Sequence, residues 1–203
     1  MRLAIIGASG NAGTRIVAEA LARGHSVTAI GRNRDKLDKI AGTSVAVADM
    51  TDPAAMAALL AGHDVIISAV RFIQYDPEHL ILASQKSGVG RLIVVGGAGT
   101  LMTGSGLPLA QTPAFPEIAK PEAAGGKAVL ERLRADTTLE WTFISPSAIF
   151  VPGERTGAYR VGKDDLLVGE NGQSRISMED YAIAVLDEAE KPKHVSERFT
   201  VGY

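Results

Sequence analysis

Seven residues near the amino terminus, Gly7-Ala8-Ser9-Gly10-Asn11-Ala12-Gly13, leave few folds open to this chain. They follow the short apolar run Leu3 to Ile6, which reads as a strand buried on both faces of a parallel sheet. They run into Asn11 to Arg23, where Ala12, Ile16, Val17, Ala20 and Leu21 recur at helical spacing and Gly24 marks the stop. Strand, glycine turn and helix in that order let backbone N–H groups approach a pyrophosphate at the positive end of the helix. The expected cradle is Gly7, Ser9, Gly10, Asn11, Ala12 and Gly13.

The same alternation continues down the chain. Ser26 to Ile30 reads as a strand, Asp35 to Ile40 as a short helix, Ser44 to Ala48 as a strand, and Pro53 to Leu60 as a helix with proline in its first turn. Strand four is expected over Asp64 to Val70, then a helix over Pro77 to Ser87, strand five over Leu92 to Val95, a helix over Glu122 to Arg134, and strand six over Glu140 to Ser145. Repeated β-α-β units with right-handed crossovers predict an α/β fold, a Rossmann-like doubly wound parallel sheet. With 203 residues, one domain is expected. Beyond Pro146 the rhythm changes: Gly157 to Val168 reads as a hairpin, Met178 to Glu190 as a helix and Arg198 to Tyr203 as a last strand. Residues 146–203 are therefore expected as a small substrate-side region over the carboxyl edge of the sheet. Gly99 to Pro116, rich in glycine, proline and small polar residues, reads as a lid or a surface loop.

Composition removes several classes of function. The chain has no cysteine, which excludes disulfides, thiolate metal sites and cysteine nucleophiles. Its net charge of −2 supplies no bulk field for nucleic acid or an acidic membrane surface. The first apolar run is too short for a signal segment, and no stretch approaches the ~20 apolar residues of a membrane span, so a cytoplasmic protein is expected. His25, His63, His79 and His194 lack metal-ligand spacing, and neither a nucleophile elbow nor a Gly-Lys-Ser/Thr phosphate loop occurs. The oligomeric state stays open between monomer and homodimer.

The glycine spacing is G-x-x-G-x-x-G. With the stretches Arg91-Leu92-Ile93-Val94-Val95-Gly96-Gly97-Ala98-Gly99, Trp141-Thr142-Phe143-Ile144-Ser145-Pro146 and Arg175-Ile176-Ser177-Met178-Glu179-Asp180-Tyr181-Ala182, it resembles the atypical and extended short-chain dehydrogenase/reductase superfamily. The resemblance runs over nearly the whole chain. It is to the NAD(P)H-binding proteins often called NADH-flavin reductases, relatives of biliverdin reductase B and of NmrA-like proteins. It implies a nicotinamide cofactor and, in some members, reduction of flavins or quinones.

Cofactor preference is argued from residues. A carboxylate near the end of strand two would hydrogen-bond an NAD ribose and repel a 2′-phosphate, but Ile30-Gly31 stand there, followed by Arg32, Asn33 and Arg34. An arginine fork suits a 2′-phosphate, so NADP(H) is favoured over NAD(H). Asp49 and Met50, ending strand three, fall where similar proteins place an acid and an apolar residue beside the adenine. Asp49 could instead cap the helix near Pro53, a task for which Asp52 is closer. Ser68, Ala69 and Val70 would leave room for the second ribose. Gly96 and Pro146, with Ser147, Ile149 and Phe150, are expected on the nicotinamide and acceptor side.

The catalytic pattern of the superfamily is incomplete. Members proper place Tyr-x-x-x-Lys on the helix after strand five, where the lysine lowers the tyrosine pKa. Here Lys127 matches the lysine, Ala123 stands in place of the tyrosine, and Gly96-Gly97-Ala98 replaces a serine. A second match, Tyr159 to Lys163, lies in an expected extended segment where the two residues would be about 13 Å apart. A flavin or quinone accepts hydride into a conjugated ring and takes its proton from solvent, so it needs no such acid. The reading is an NADPH-dependent reductase of such a small-molecule acceptor. A non-catalytic NADP(H) sensor acting through a protein partner is the alternative, and a sugar-nucleotide epimerase or dehydratase ranks last.

Overall fold

The structure is a computed structural model that describes all of residues 1–203. Its first strand, β1 (Arg2–Ile6), shows why a continuous apolar run suits this fold. Side chains alternate across a strand, so Leu3 and Ile5 enter the hydrophobic cluster on one face of the sheet while Ala4 and Ile6 enter the cluster on the other. Helix α1 (Asn11–Ala22) follows, ending where Gly24 takes a left-handed φ of 79°. Then come β2 (Ser26–Gly31), a single turn α2 (Arg34–Leu37), β3 (Ser44–Val47), α3 (Pro53–Leu60), β4 (Val65–Ser68), α4 (Pro77–Ser87), β5 (Arg91–Val95), α5 (Lys120–Arg134) and β6 (Glu140–Pro146). Asp52 caps α3, accepting from Ala54 N and Ala55 N, and Asp76 caps α4.

These strands lie in the order β3-β2-β1-β4-β5-β6, all parallel, as a doubly wound sheet requires. The order reverses between β1 and β4, and the carboxyl ends of these two strands open the crevice where such sheets take ligands. Helix α3 packs on α4 and α4 on α5 over one face, and α1 packs on the last helix over the other.

The chain beyond Pro146 differs from the expected cap. No hairpin forms over 157–168: only β8 (Arg160–Gly162) is a strand there, and it pairs antiparallel with β10 (Glu197–Gly202). Strand β10 in turn adds to β6 in parallel, so the carboxyl-terminal segment widens the main sheet to eight strands. Helix α6 (Met178–Glu190) crosses back over the sheet and packs on α1. The reason is burial: ten of its thirteen residues are buried, too many for a surface cap. Its Tyr181 is fully buried and donates to Ile144 O at 2.6 Å. A small parallel pair, β7 (Ile149–Val151) with β9 (Arg175–Ser177), was not foreseen; its three-residue strands are too short for periodicity to reveal.

Candidate active site

The tip of the turn after β1 is held by its own backbone. Gly7 and Ala8 both donate to Ile30 O, and Gly10 N donates to Gly7 O. Gly7 sits at φ 80°, and a Cβ there would lie 2.7 Å from Ala69 O. At the start of α1 the amides of Asn11, Ala12 and Gly13 have no acceptor in the protein, and Gly10 supplies no side-chain cap. Donors at a helix start, with no side chain in front of them, fit a diphosphate.

A cleft of about 710 Å³ opens there along the carboxyl ends of the strands. Of the residues expected from the sequence, Gly7, Ser9, Gly10, Asn11, Ala12, Arg32, Asp49, Met50, Ala69, Val70, Gly96, Lys127 and Pro146 line it. Four do not. Gly13 is buried against the turn, where its Cβ would lie 2.1 Å from Gly7 O, so its part is to let α1 approach the strand. Asn33 is turned to its own helix, its side chain accepting from Lys36 N at 2.9 Å. Arg34 pairs with Asp38 at 2.9 Å, one helical turn on. Ser68 is buried beside the Tyr75 hydroxyl. Ile149 is also outside the lining, whereas Ser147, Ala148 and Phe150 are within it.

Arg32 and Lys36 are the cations at the β2 end of the cleft, and neither head group is paired with a carboxylate. Lys36 escaped the sequence reading because helical spacing alone does not say which face of a four-residue helix meets the cleft. Across from them, Asp49 accepts from Thr51 N at 2.9 Å. That bond, with Thr51's side chain and the nearby Arg32 charge, holds the Asp49 carboxyl below the usual range.

The other end of the cleft is built around Phe72. Its ring stacks on Phe143 at 6.0 Å and lies against the pair Gly125-Gly126 of α5. A Cβ on Gly125 would meet Phe72 Cβ at 2.8 Å, and one on Gly126 would meet the ring at 2.9 Å. Two glycines inside a helix cost roughly 1 kcal/mol each against alanine, so the pair was a visible signal of close packing. Glu122 accepts from Phe72 N at 2.8 Å through Oε1; its Oε2 lies 3.4 Å from Arg71 Nε without hydrogen-bond alignment. Gly96 is forced by Phe143 too, for a Cβ there would lie 2.4 Å from the ring.

Lys127 and Ala123 reach the cleft from α5, and no tyrosine lines it. Lys127 Nζ is 3.6 Å from Glu131. Tyr159, the other tyrosine with a lysine four residues on, is bonded to Asp187 on α6 at 2.6 Å and lies outside the lining. Burial and that carboxylate push its pKa up, the wrong direction for a proton donor at neutral pH. The 99–116 segment roofs the cleft through Thr100, Leu109, Phe115 and Pro116. It is not free: Leu109 N donates to Leu101 O, Ala110 N to Gly99 O, and Met102 N to Asp164 O.

Fold and cleft together define a Rossmann-type dinucleotide-binding protein. The sequence pattern of the NAD(P)H-binding family matches residues 7–189, and the chain belongs to that family. It is 41% identical to the uncharacterized protein YwnB of Bacillus subtilis, over 99% of this chain and 98% of that protein. Among solved structures it is similar to a candidate exported protein of Burkholderia pseudomallei, at 42% identity and a TM-score of 0.90, with both chains covered in full. It is also similar to a candidate NADH-flavin reductase of Streptococcus pneumoniae, at 38% identity and a TM-score of 0.87, over 100% of this chain and 99% of that one. No helix is long and apolar enough to cross a membrane.

Proposed function

We propose that this chain is a cytoplasmic NADPH-dependent reductase that passes hydride to a conjugated small-molecule acceptor of flavin or quinone type, without a tyrosine acid. The observation that carries it is that one cleft joins the open amides of α1 to two unpaired cations, Arg32 and Lys36, at one end and to a mostly apolar roof at the other. When bound, the nicotinamide nucleotide supplies the hydride. Asn11 and Ala12 would hold its diphosphate, Arg32 and Lys36 its 2′-phosphate, and Asp49 and Met50 its adenine end. Ala69, Val70, Gly96 and Pro146 present little side-chain bulk beyond that. Leu109, Phe115 and Phe150 shield the acceptor end from water, so positioning supplies much of the rate. Ala123 and Gly96 stand where a tyrosine acid and an orienting serine would be, and no tyrosine lines the cleft, which favours an acceptor whose reduced anion takes its proton from solvent.

The test is to mix the protein with NADPH and FMN, FAD or simple quinones and follow loss of the nicotinamide absorbance. Oxidation by at least one acceptor is expected; none across the panel would overturn the reading. The absent tyrosine also favours a second reading, an NADP(H) sensor working through a protein partner. Tight nucleotide binding with no turnover is its signature.

A further inference from the structure

Beside the cleft lies a second groove of about 450 Å³, between one stripe of α5 and the inner side of the 99–116 segment. The stripe runs from Lys120 through Ala123, Lys127 and Leu130 to Arg134, at the three- and four-residue spacing of one helical face. The two cavities share Gly99, Thr100, Ala123 and Lys127, which stand between them. The segment packs directly on α5 at Ala123, where a Cβ on Gly99 would lie 2.7 Å from Ala123 Cβ, so Lys127 is the long side chain that borders both spaces.

The groove is lined by four cations, Lys120, Lys127, Arg134 and Arg198, against one carboxylate, Glu131. In a chain of net charge −2 that concentration is not background. Three acids stand against these four cations, Glu131 at 3.6 Å from Lys127 among them, which leaves the groove a small positive excess. Glu117, 85% exposed, pairs with Lys120, and Asp164 lies between Arg198 and Arg134, the latter at 3.8 Å. Exposed pairs of this kind contribute about 0–1 kcal/mol, so Lys120 and Arg134 can turn to a better anion at little cost. Arg198 is different. Its side chain is 4% exposed, with Nε and Nη2 both donating to Asp164 and Nη1 to Thr100 Oγ1 at 3.1 Å, so it supplies a fixed positive charge to the groove while its fork is taken by Asp164.

We propose that this groove takes a phosphate or carboxylate carried by the acceptor, whose conjugated ring lies in the main cleft. The assignment rests on the reductase reading and narrows its substrate class to anionic acceptors. Lys127, lining both cavities, stands where ring and anionic arm would meet.

The experiment compares acceptors that differ only in the anion: FMN with riboflavin, and a naphthoquinone carrying a carboxylate with its neutral parent. Wild-type protein is compared with Lys120→Gln/Arg134→Gln, whose two residues lie outside the main cleft. At least one anionic member should show a KM about tenfold below that of its neutral twin, roughly one charge-assisted contact, and the double variant should erase the difference with kcat within about twofold. The pair that discriminates identifies phosphate or carboxylate as the source. Equal KM values in both pairs, or a preference that survives in the variant, would overturn the proposal. Flavin fluorescence in the absence of nucleotide gives a reading independent of turnover. Tighter binding of FMN than riboflavin, lost in the variant, supports the groove even if no acceptor is reduced; equal flavin affinity counts against a phosphate site whatever the turnover.

Discussion

Gly13 stands directly over the carbonyl of Gly7: a Cβ on Gly13 would lie 2.1 Å from that oxygen. No rotamer relieves such an overlap, because both partners are backbone. The third glycine of the turn therefore sets the distance between α1 and β1, and through it the place of the three open amides.

Gly13→Ala should push α1 outward. We expect a stability loss of about 1–3 kcal/mol, the usual cost of overpacking, together with weaker binding of both NADPH and NADH. Thermal unfolding and nucleotide titration check this. An alanine variant that matches wild type in both measurements would show that the contact is relieved elsewhere.

Arg32→Ala and Lys36→Ala should each weaken NADPH more than NADH. A hydrogen bond to a charged group contributes about 1.5–3 kcal/mol, roughly ten- to hundredfold in Kd, and solvent exposure at Arg32 favours the lower end. Arg34→Ala should change neither nucleotide, since Arg34 lies outside the cleft lining. Calorimetry with the two nucleotides decides, and equal losses for both would remove the 2′-phosphate assignment.

Glu122 ties the 71–75 turn to α5 by accepting from Phe72 N. Glu122→Gln keeps an acceptor and should stay within about 1 kcal/mol of wild type. Glu122→Ala leaves the amide without its protein acceptor and should cost about 1–3 kcal/mol and lower kcat/KM, because Phe72 lines the cleft. If the two variants melt alike, the bond is not what holds the turn.

Asp180 governs acid stability at the carboxyl-terminal end. It is fully buried, which pushes its pKa up. Bonds from Thr156 at 2.5 Å, Tyr203 at 2.7 Å and Gly157 N at 2.8 Å outweigh that burial and hold it below the ordinary aspartate value of 3.8. A depressed folded-state pKa stabilises above the unfolded value, and the stabilisation is lost as pH falls below it. Denaturant unfolding should thus show constant Asp180-dependent stability near neutrality and a decline below about pH 4. Asp180→Asn should lose about 1.5–3 kcal/mol at neutral pH and lack that part of the decline. A variant with an unchanged acid limb would dismiss this account.

Much of the molecule is legible along the chain because it rests on local physics. Apolar runs alternating with helical periodicity give β1 to β6 and their crossover helices, and proline and aspartate at helix starts set α3 and α4 at the residues expected. The glycine turn, Arg32, Asp49 and Met50 are readable because the carboxyl end of a parallel strand is where the crevice must open. Helix α6 was recognised over Met178 to Glu190, yet its destination was not. An amphipathic stretch states that it will be buried but not against which neighbour, and only the packed fold puts it on α1 and adds β10 beside β6.

The same limit separates Arg32 from Arg34. Two residues apart in the sequence, they differ in what surrounds them: one faces the cleft and the other finds Asp38 a helical turn away. The groove over α5 is completed only at the tertiary level: Lys120 and Arg134 share a helical face, but Arg198 joins them only when β10 adds to the sheet. Sequence thus determined the elements and the nucleotide turn, which depend on neighbours along the chain. Packing of distant segments decided which charges share a cavity, because electrostatic and steric contacts act through space.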